Sequence, residues 1–269
     1  MSETVFPYPG GKSRFASWIL DHVPEHTCFV EVFGGAAGVL VNKNPATSDV
    51  EVYNDRDGDL VHFFEVLREH PEELVAYLED VPYAREVYET WVERFYNGYR
   101  PEDDVARAGQ FFALRYFQWG GGYAGPNGFA TSKQRSRATS FRNKIDRLER
   151  FADRFDDVVI EHRDWQALLE QYDSQETVFY LDPPYAGQQE YYPIENIDHE
   201  ALTDTIQNLT GEWLLSCEHV PATLADYPTI SRAENRFIGS GENDGAKSAH
   251  ERLVLSTGCS TEEREAEAR

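Results

Sequence analysis

An apolar run, Thr27-Cys28-Phe29-Val30-Glu31-Val32-Phe33, leads straight into Gly34-Gly35-Ala36-Ala37-Gly38, and a second run, Val50-Glu51-Val52-Tyr53, stops at Asn54-Asp55. Two strand-length runs separated by a glycine-rich turn and a short amphipathic stretch predict a βαβ unit. The turn should open a helix that ends near Asn42, and the two strands should lie parallel. Asp57 to Arg68 follows as a helix, with Leu60, Phe63, Phe64 and Leu67 on one face. This constrains the chain to the α/β class and predicts a parallel sheet.

The pattern then changes. Residues 70–155 read as helices without a clear strand, chiefly Ala84–Tyr96, Asp103–Trp119 and Phe141–Phe155, and the glycine-rich stretch Gly120–Phe129 falls outside regular structure. Strand signals return at Val158-Val159-Ile160, Thr177–Leu181, Trp213-Leu214-Leu215 and Arg252–Leu255, with Asp164 opening a helix. The expected organisation is a sheet domain built from residues 1–68 and 156–260, interrupted by a helical insert at 69–155. Residues 261–269 form a charged tail expected to be disordered. With 269 residues and 41% hydrophobic side chains, the chain can bury a sizeable core.

Composition removes several functional classes. Cys28, Cys217 and Cys259 are widely spaced, and the eight histidines make no metal-binding pattern, so neither a disulfide framework nor a metal is expected. No apolar run reaches the length of a membrane span and the amino terminus lacks a signal-peptide layout, which predicts a soluble, cytoplasmic protein with no membrane partner. The formal charge is −23, from 48 acidic and 25 basic residues. Scattered acids and scarce lysine resemble proteins of a salt-rich cytoplasm. Such a charge opposes nucleic-acid binding unless the cations are concentrated locally. Residues 131–154 concentrate them, with eight basic residues against three acidic. Lys133, Arg135, Arg137 and Arg142 are the candidate phosphate contacts. The competing reading of this segment is a solvated helix face laced with salt bridges.

Gly34, Gly35 and Gly38 let a backbone approach a ligand, and Asp55 stands 21 residues after Gly34, a spacing suited to binding ribose hydroxyls. The alternative for the turn is packing alone. Glu31, inside the preceding strand, would repel a diphosphate and attract a cation, which favours S-adenosylmethionine over a dinucleotide. Exposure on an alternating strand is its other reading. Tyr8-Pro9-Gly10-Gly11-Lys12-Ser13 fails as a phosphate loop, because Phe6 stands where that motif requires glycine. Its glycines suit a tight turn that presents Tyr8 and Lys12 to a ligand. Asp164 and Trp165 suit an adenine by hydrogen bonding and stacking, or equally a helix cap and a core ring.

Asp182-Pro183-Pro184-Tyr185 directly follows the apolar run at 177–181. Two prolines remove two N–H donors and fix the turn, leaving the Asp182 carboxylate and nearby carbonyls as acceptors. Tyr185 adds a flat stacking face. The set suits a planar ring that carries an amino group.

In order along the chain, FPYPGGKS (6–13), FVEVFGGAAGV (29–39), YNDRDGDL (53–60), FYLDPPY (179–185) and WLLSCEH (213–219) resemble the Dam-type, or D12 class, adenine-specific DNA methyltransferases. The resemblance implies a Rossmann-like S-adenosylmethionine-dependent methyltransferase sheet with an inserted helical target-recognition domain. Tyr8, Lys12, Asp55 and Asp182 would line the cofactor site. Asp182 to Tyr185 would grip an adenine flipped out of double-stranded DNA. A companion restriction endonuclease would be a natural partner. The chain departs from the family in carrying Leu114-Arg115-Tyr116-Phe117-Gln118-Trp119-Gly120 in place of an Asn-Arg-x-Gly-Phe-Asn-Gly element, so no recognition sequence carries over. Three other readings compete: exocyclic cytosine methylation, a nicotinamide-dependent oxidoreductase and a non-catalytic DNA-binding module.

Overall fold

The computed structural model describes residues 2–119, 123, 125–185, 197–236 and 247–259. The expected tail and the three glycines at 120–122 lie outside these residues. Seven strands form one sheet: β1 (Cys28–Glu31), β2 (Val50–Asn54), β3 (Val158–Glu161), β4 (Thr177–Leu181), β5 (Glu212–Cys217), β6 (Thr229–Arg236) and β7 (Lys247–Leu255). Their order is β3-β2-β1-β4-β5-β7-β6. The first five pair in parallel, and β7 pairs antiparallel with both β5 and β6. The fold is thus mixed α/β with a mostly parallel sheet.

The helices are α1 (Ala16–Leu20), α2 (Gly58–Glu69), α3 (Pro71–Asp80), α4 (Arg85–Tyr96), α5 (Asp104–Phe117), α6 (Arg137–Ile145), α7 (Leu148–Phe155), α8 (Trp165–Tyr172) and α9 (His199–Ile206). Neighbouring strand residues serve opposite faces of the sheet. Phe29, Tyr53, Tyr180 and Leu214 join a core with α1, α2, α5 and α7, whereas Val30, Val52, Phe179 and Leu215 join a second core with α8 and α9. Period-two alternation with both faces covered is what a buried central sheet requires.

The helices between β2 and β3 share the first of these cores. Phe63 stacks on Phe112 with centroids 5.7 Å apart, and Phe64 on Phe155 at 4.6 Å. Phe6 inserts edge-on against Phe63 and Phe111, at 5.2 and 5.7 Å. Tyr116 donates its hydroxyl hydrogen to the Val5 carbonyl at 2.8 Å. This aromatic anchor ties down the amino-terminal segment that carries Tyr8 and Lys12. Burying a ring of this size contributes roughly 1.5–3 kcal/mol.

Three expectations are corrected. Gly34–Gly38 does not open an α-helix; it is followed by turns and short 3-10 segments at Leu40–Asn42 and Pro45–Thr47. Ala37 has φ +53°, which interrupts any helical repeat. Phe141–Phe155 is two helices, because Arg147 N–H bonds back to the Lys144 carbonyl and tightens the chain at the end of α6. The sheet is not wholly parallel at its carboxyl-terminal edge, where the long hairpin strand β6 pairs along β7.

Candidate active site

The order of winding reverses between β1 and β4, and a cleft opens there at the carboxyl ends of the strands. Such a switch point is where open α/β sheets bind ligands. Tyr8, Lys12, Glu31, Gly34, Gly38, Asp55, Trp165 and Asp182 all line this one cleft. Pro184 of the Asp-Pro-Pro-Tyr run lines it too, together with Asn54, Arg56 and Arg163, to which the sequence reading gave no individual role.

The glycine turn is shaped by carboxylates. Gly35 N–H donates to Asp55 Oδ2 at 2.8 Å, and Asp57 N–H donates to Asp55 Oδ1 at 2.8 Å. Glu31 accepts from Val39 N–H at 3.2 Å and from Leu40 N–H at 2.9 Å. Gly35 sits at φ +50°, a conformation that a side chain would strain, and a Cβ there would come within 2.9 Å of the Tyr8 ring. At Gly34 a Cβ would fall 2.2 Å from Tyr53, whose hydroxyl donates to the Gly35 carbonyl at 2.8 Å. Gly38 packs against the backbone of Lys12 and Ser13. The turn therefore joins the amino-terminal segment to β2, and Asp55 and Glu31 take up its N–H groups.

Burial raises both of these carboxyls. Glu31, 2% exposed, is pushed up to about 8, chiefly by desolvation and against the two N–H bonds, with Asp182 adding to the rise. Asp55 is pushed up to about 6 by desolvation and then by the charge of Asp57. The walls thus hold acidic groups that a cation would stabilise in ionised form.

At the end of β4, Lys12 Nζ contacts both oxygens of Asp182, at 2.8 and 2.9 Å, and donates to the Gly10 carbonyl at 3.1 Å. Lys12 is 4% exposed. Burial raises the Asp182 carboxyl, while Lys12 and the Tyr185 hydroxyl pull it back. The Lys12 ammonium lies 5.0 Å from the Tyr185 ring centroid. Tyr185 donates to Glu251 Oε1 at 2.6 Å, with Asp182 Oδ1 at the longer distance of 3.3 Å. Glu251, on β7, is the main residue that the sequence reading missed. It carries no motif, and only the antiparallel register of β7 beside β5 brings it here.

Asp164 and Trp165 part company. The Asp164 carboxylate caps α8 by accepting from Gln166 N–H at 3.0 Å and approaches Arg56 at 3.7 Å. Trp165 is buried in the second core with one side on the cleft. In the basic segment, Lys133 and Arg135 are exposed, and the exposed Arg137 lies over the ring of Trp119, its guanidinium 5.3 Å from the centroid. Arg142 donates to the Glu79 carbonyl at 2.6 Å. Arg150 pairs with Glu3, and Arg154 pairs with Glu51 at 2.6 Å, so part of the local charge is structural.

Among the described residues, no helix is long and apolar enough to cross a membrane. The family model of the D12 class N6 adenine-specific DNA methyltransferases matches residues 8–225. A solved structure titled a conserved hypothetical protein from Streptococcus pyogenes aligns with a TM-score of 0.37 at 8% identity, covering 91% of this chain and 95% of that one. No curated protein matches.

Proposed function

Since the chain belongs to the D12 class N6 adenine-specific DNA methyltransferase family, we propose that the cleft between β1 and β4 is where its cofactor and a flipped-out adenine meet. The family assignment decides for adenine over cytosine and removes the nicotinamide reading. The observation that carries the site assignment is the convergence of Asp182, Asp55, Glu31 and Lys12 on one cleft.

S-adenosylmethionine fits the walls better than a diphosphate would. The N–H groups of Gly35, Val39 and Leu40, which could have cradled a phosphate, are already held by Asp55 and Glu31. The carboxylates themselves are desolvated and suit a cation. When bound, the cofactor supplies an electrophilic methyl group on a sulfonium. Asp55 would accept from the ribose hydroxyls through its remaining lone pairs. Tyr8 and Trp165 would give ring faces to the adenosine, with Gly34 and Gly38 flooring the site.

For the target, Asp182 and the Pro183 carbonyl accept hydrogen bonds from the two amino hydrogens of adenine. That draws the nitrogen lone pair out of conjugation and aims it at the methyl group. Pro184 keeps the turn rigid, and Tyr185 stacks on the extruded base. Positioning and fixed acceptors do the catalytic work. The helices between β2 and β3 serve as the DNA-recognition region of a Rossmann-like methyltransferase. Lys133, Arg135 and Arg137 meet phosphates beside Trp119, and Arg142 flanks them while held by α3.

The test is Asp182→Asn, which keeps shape and removes charge. Methyl incorporation into DNA should fall roughly 100- to 1000-fold, with S-adenosylmethionine binding within a few-fold of the parent by calorimetry. Parental turnover in this variant would sink the assignment.

A further inference from the structure

Glu251 is a buried carboxylate that the steps above leave without a task. It is 5% exposed and lies outside residues 8–225, so the family match says nothing of it. One of its oxygens accepts from the Tyr185 hydroxyl at 2.6 Å, and the other stands 3.7 Å from Lys12 Nζ. Lys12, meanwhile, occupies both oxygens of Asp182.

That arrangement conflicts with turnover. The amine of adenine needs Asp182 as its acceptor, and an ammonium held at 2.8 and 2.9 Å competes for the same lone pairs. Lys12 cannot simply retreat into solvent, because it is buried, and a buried ammonium without an anion is costly. It needs a second anion within a short rotation. Glu251 Oε2 is that anion, and closing 3.7 Å to an ion-pair distance of about 2.8 Å requires only a small swing of Nζ about its contact with the Gly10 carbonyl.

We propose that Glu251 is a positioning residue that receives Lys12 when the target amine takes Asp182, so that the lysine passes between two carboxylates as the base enters and leaves. The inference rests on the reading of Asp182 as the amine acceptor. The two oxygens of Glu251 divide the labour. One fixes the hydroxyl end of Tyr185 and with it the stacking ring, and the other faces Lys12 at 3.7 Å. Release of Asp182 and presentation of the stacking face are thereby built on a single side chain.

The test is Glu251→Gln, which still accepts from Tyr185 but offers no anion. The single-turnover rate of DNA methylation should fall about tenfold or more, equivalent to at least about 1.4 kcal/mol in the barrier. Dissociation constants for S-adenosylmethionine and for DNA should stay within about twofold, and the melting curve should remain cooperative. Glu251→Asp should recover part of the rate. In a Tyr185→Phe background Glu251→Gln should cost the same factor, because the lysine seat does not act through the hydroxyl. An unchanged rate, a loss confined to cofactor affinity, or a loss that disappears in the Tyr185→Phe background would each overturn the proposal. Should Glu251→Gln fail to fold, Glu251→Asp carries the test with the same readouts: a lowered rate at retained affinity supports it, and a parental rate overturns it. Asp182→Asn reports separately on the underlying assignment, since turnover in that variant would remove the acceptor itself.

Discussion

If Glu31 must be ionised to meet a cationic ligand, binding in the cleft is proton-linked, and pH is the perturbation that tests it. Burial at the end of β1 pushes this carboxyl up to about 8. At pH 7 a group titrating there is ionised in about one molecule in ten. If a cationic ligand requires the ionised form, the apparent dissociation constant at pH 7 is about tenfold weaker than at pH 9. At pH 6 it is roughly a hundredfold weaker. The α-amino group of S-adenosylmethionine also titrates near 8, so the raw profile mixes two groups. The observable is therefore the ratio of affinities of the parent and Glu31→Gln at each pH, in which the ligand's own titration cancels. Calorimetry from pH 6 to 9 should show that ratio falling towards low pH by one to two orders of magnitude. In buffers of different ionisation enthalpy at pH 7, binding to the parent should release close to one proton from Glu31, and none from the variant. A ratio constant within twofold across the range would refute the reasoning. A carboxyl raised in the folded state contributes stability that is fully present below its unfolded value of 4.5 and lost as pH rises through about 8. Without cofactor, the folded protein should therefore weaken over that window, opposite to the behaviour of a salt-bridged carboxylate.

Asp55→Asn should weaken S-adenosylmethionine binding about tenfold or more, the cost of losing a charged acceptor, with the rate at saturating cofactor less affected; calorimetry with single-turnover kinetics checks this. Replacing Lys133, Arg135 and Arg137 together by Ala should reduce the slope of log affinity for DNA against log salt by about 2–3. Filter binding over a range of salt concentrations measures it, and an unchanged slope would return the segment to a structural role. Adding Arg142 or Arg154 to such a set is uninformative, since one holds the Glu79 carbonyl and the other the Glu51 carboxylate.

The central strands were legible because each is a run with two buried faces, and β1, β2, β4 and β5 fall within two residues of their expected ends. Helix starts were legible too: Asp57, Asp103 and Asp164, where helices were expected to open, each accept from the first turn of α2, α5 and α8. Less visible were features set by contacts distant in sequence. The segment after Gly34 has helical composition, yet the carboxylates of Glu31 and Asp55 claim its N–H groups and hold it in turns. The break between α6 and α7 leaves the apolar spacing of Phe141, Ile145, Leu148, Ala152 and Phe155 undisturbed, so periodicity could not reveal it. β6 has few apolar residues and gains its place by pairing along β7. In the candidate site, the short-range motifs at Lys12, Asp55 and Asp182 were all readable and share one cleft. Glu251 was not, because nothing within its own strand distinguishes a carboxylate facing Tyr185 from one facing water.

The charge distribution decides how DNA binding must be measured. The chain carries a net −23, and the structure spends Arg100 and Arg107 on Asp59, Arg150 on Glu3 and Arg154 on Glu51. Among the exposed cations of the basic segment are Lys133, Arg135 and Arg137, the last lying over the ring of Trp119. A phosphate backbone docked there is attracted at short range while acidic surface elsewhere repels it at longer range. Salt acts on both. It weakens the contacts by competing for phosphates, and it relieves the repulsion, which reaches only about 8–10 Å at physiological ionic strength. The two effects oppose each other, so the slope for the parent protein must be shallower than its number of phosphate contacts would give on a neutral protein. Only the difference in slope between parent and variant counts those contacts, because the repulsion from the unchanged acidic surface is common to both.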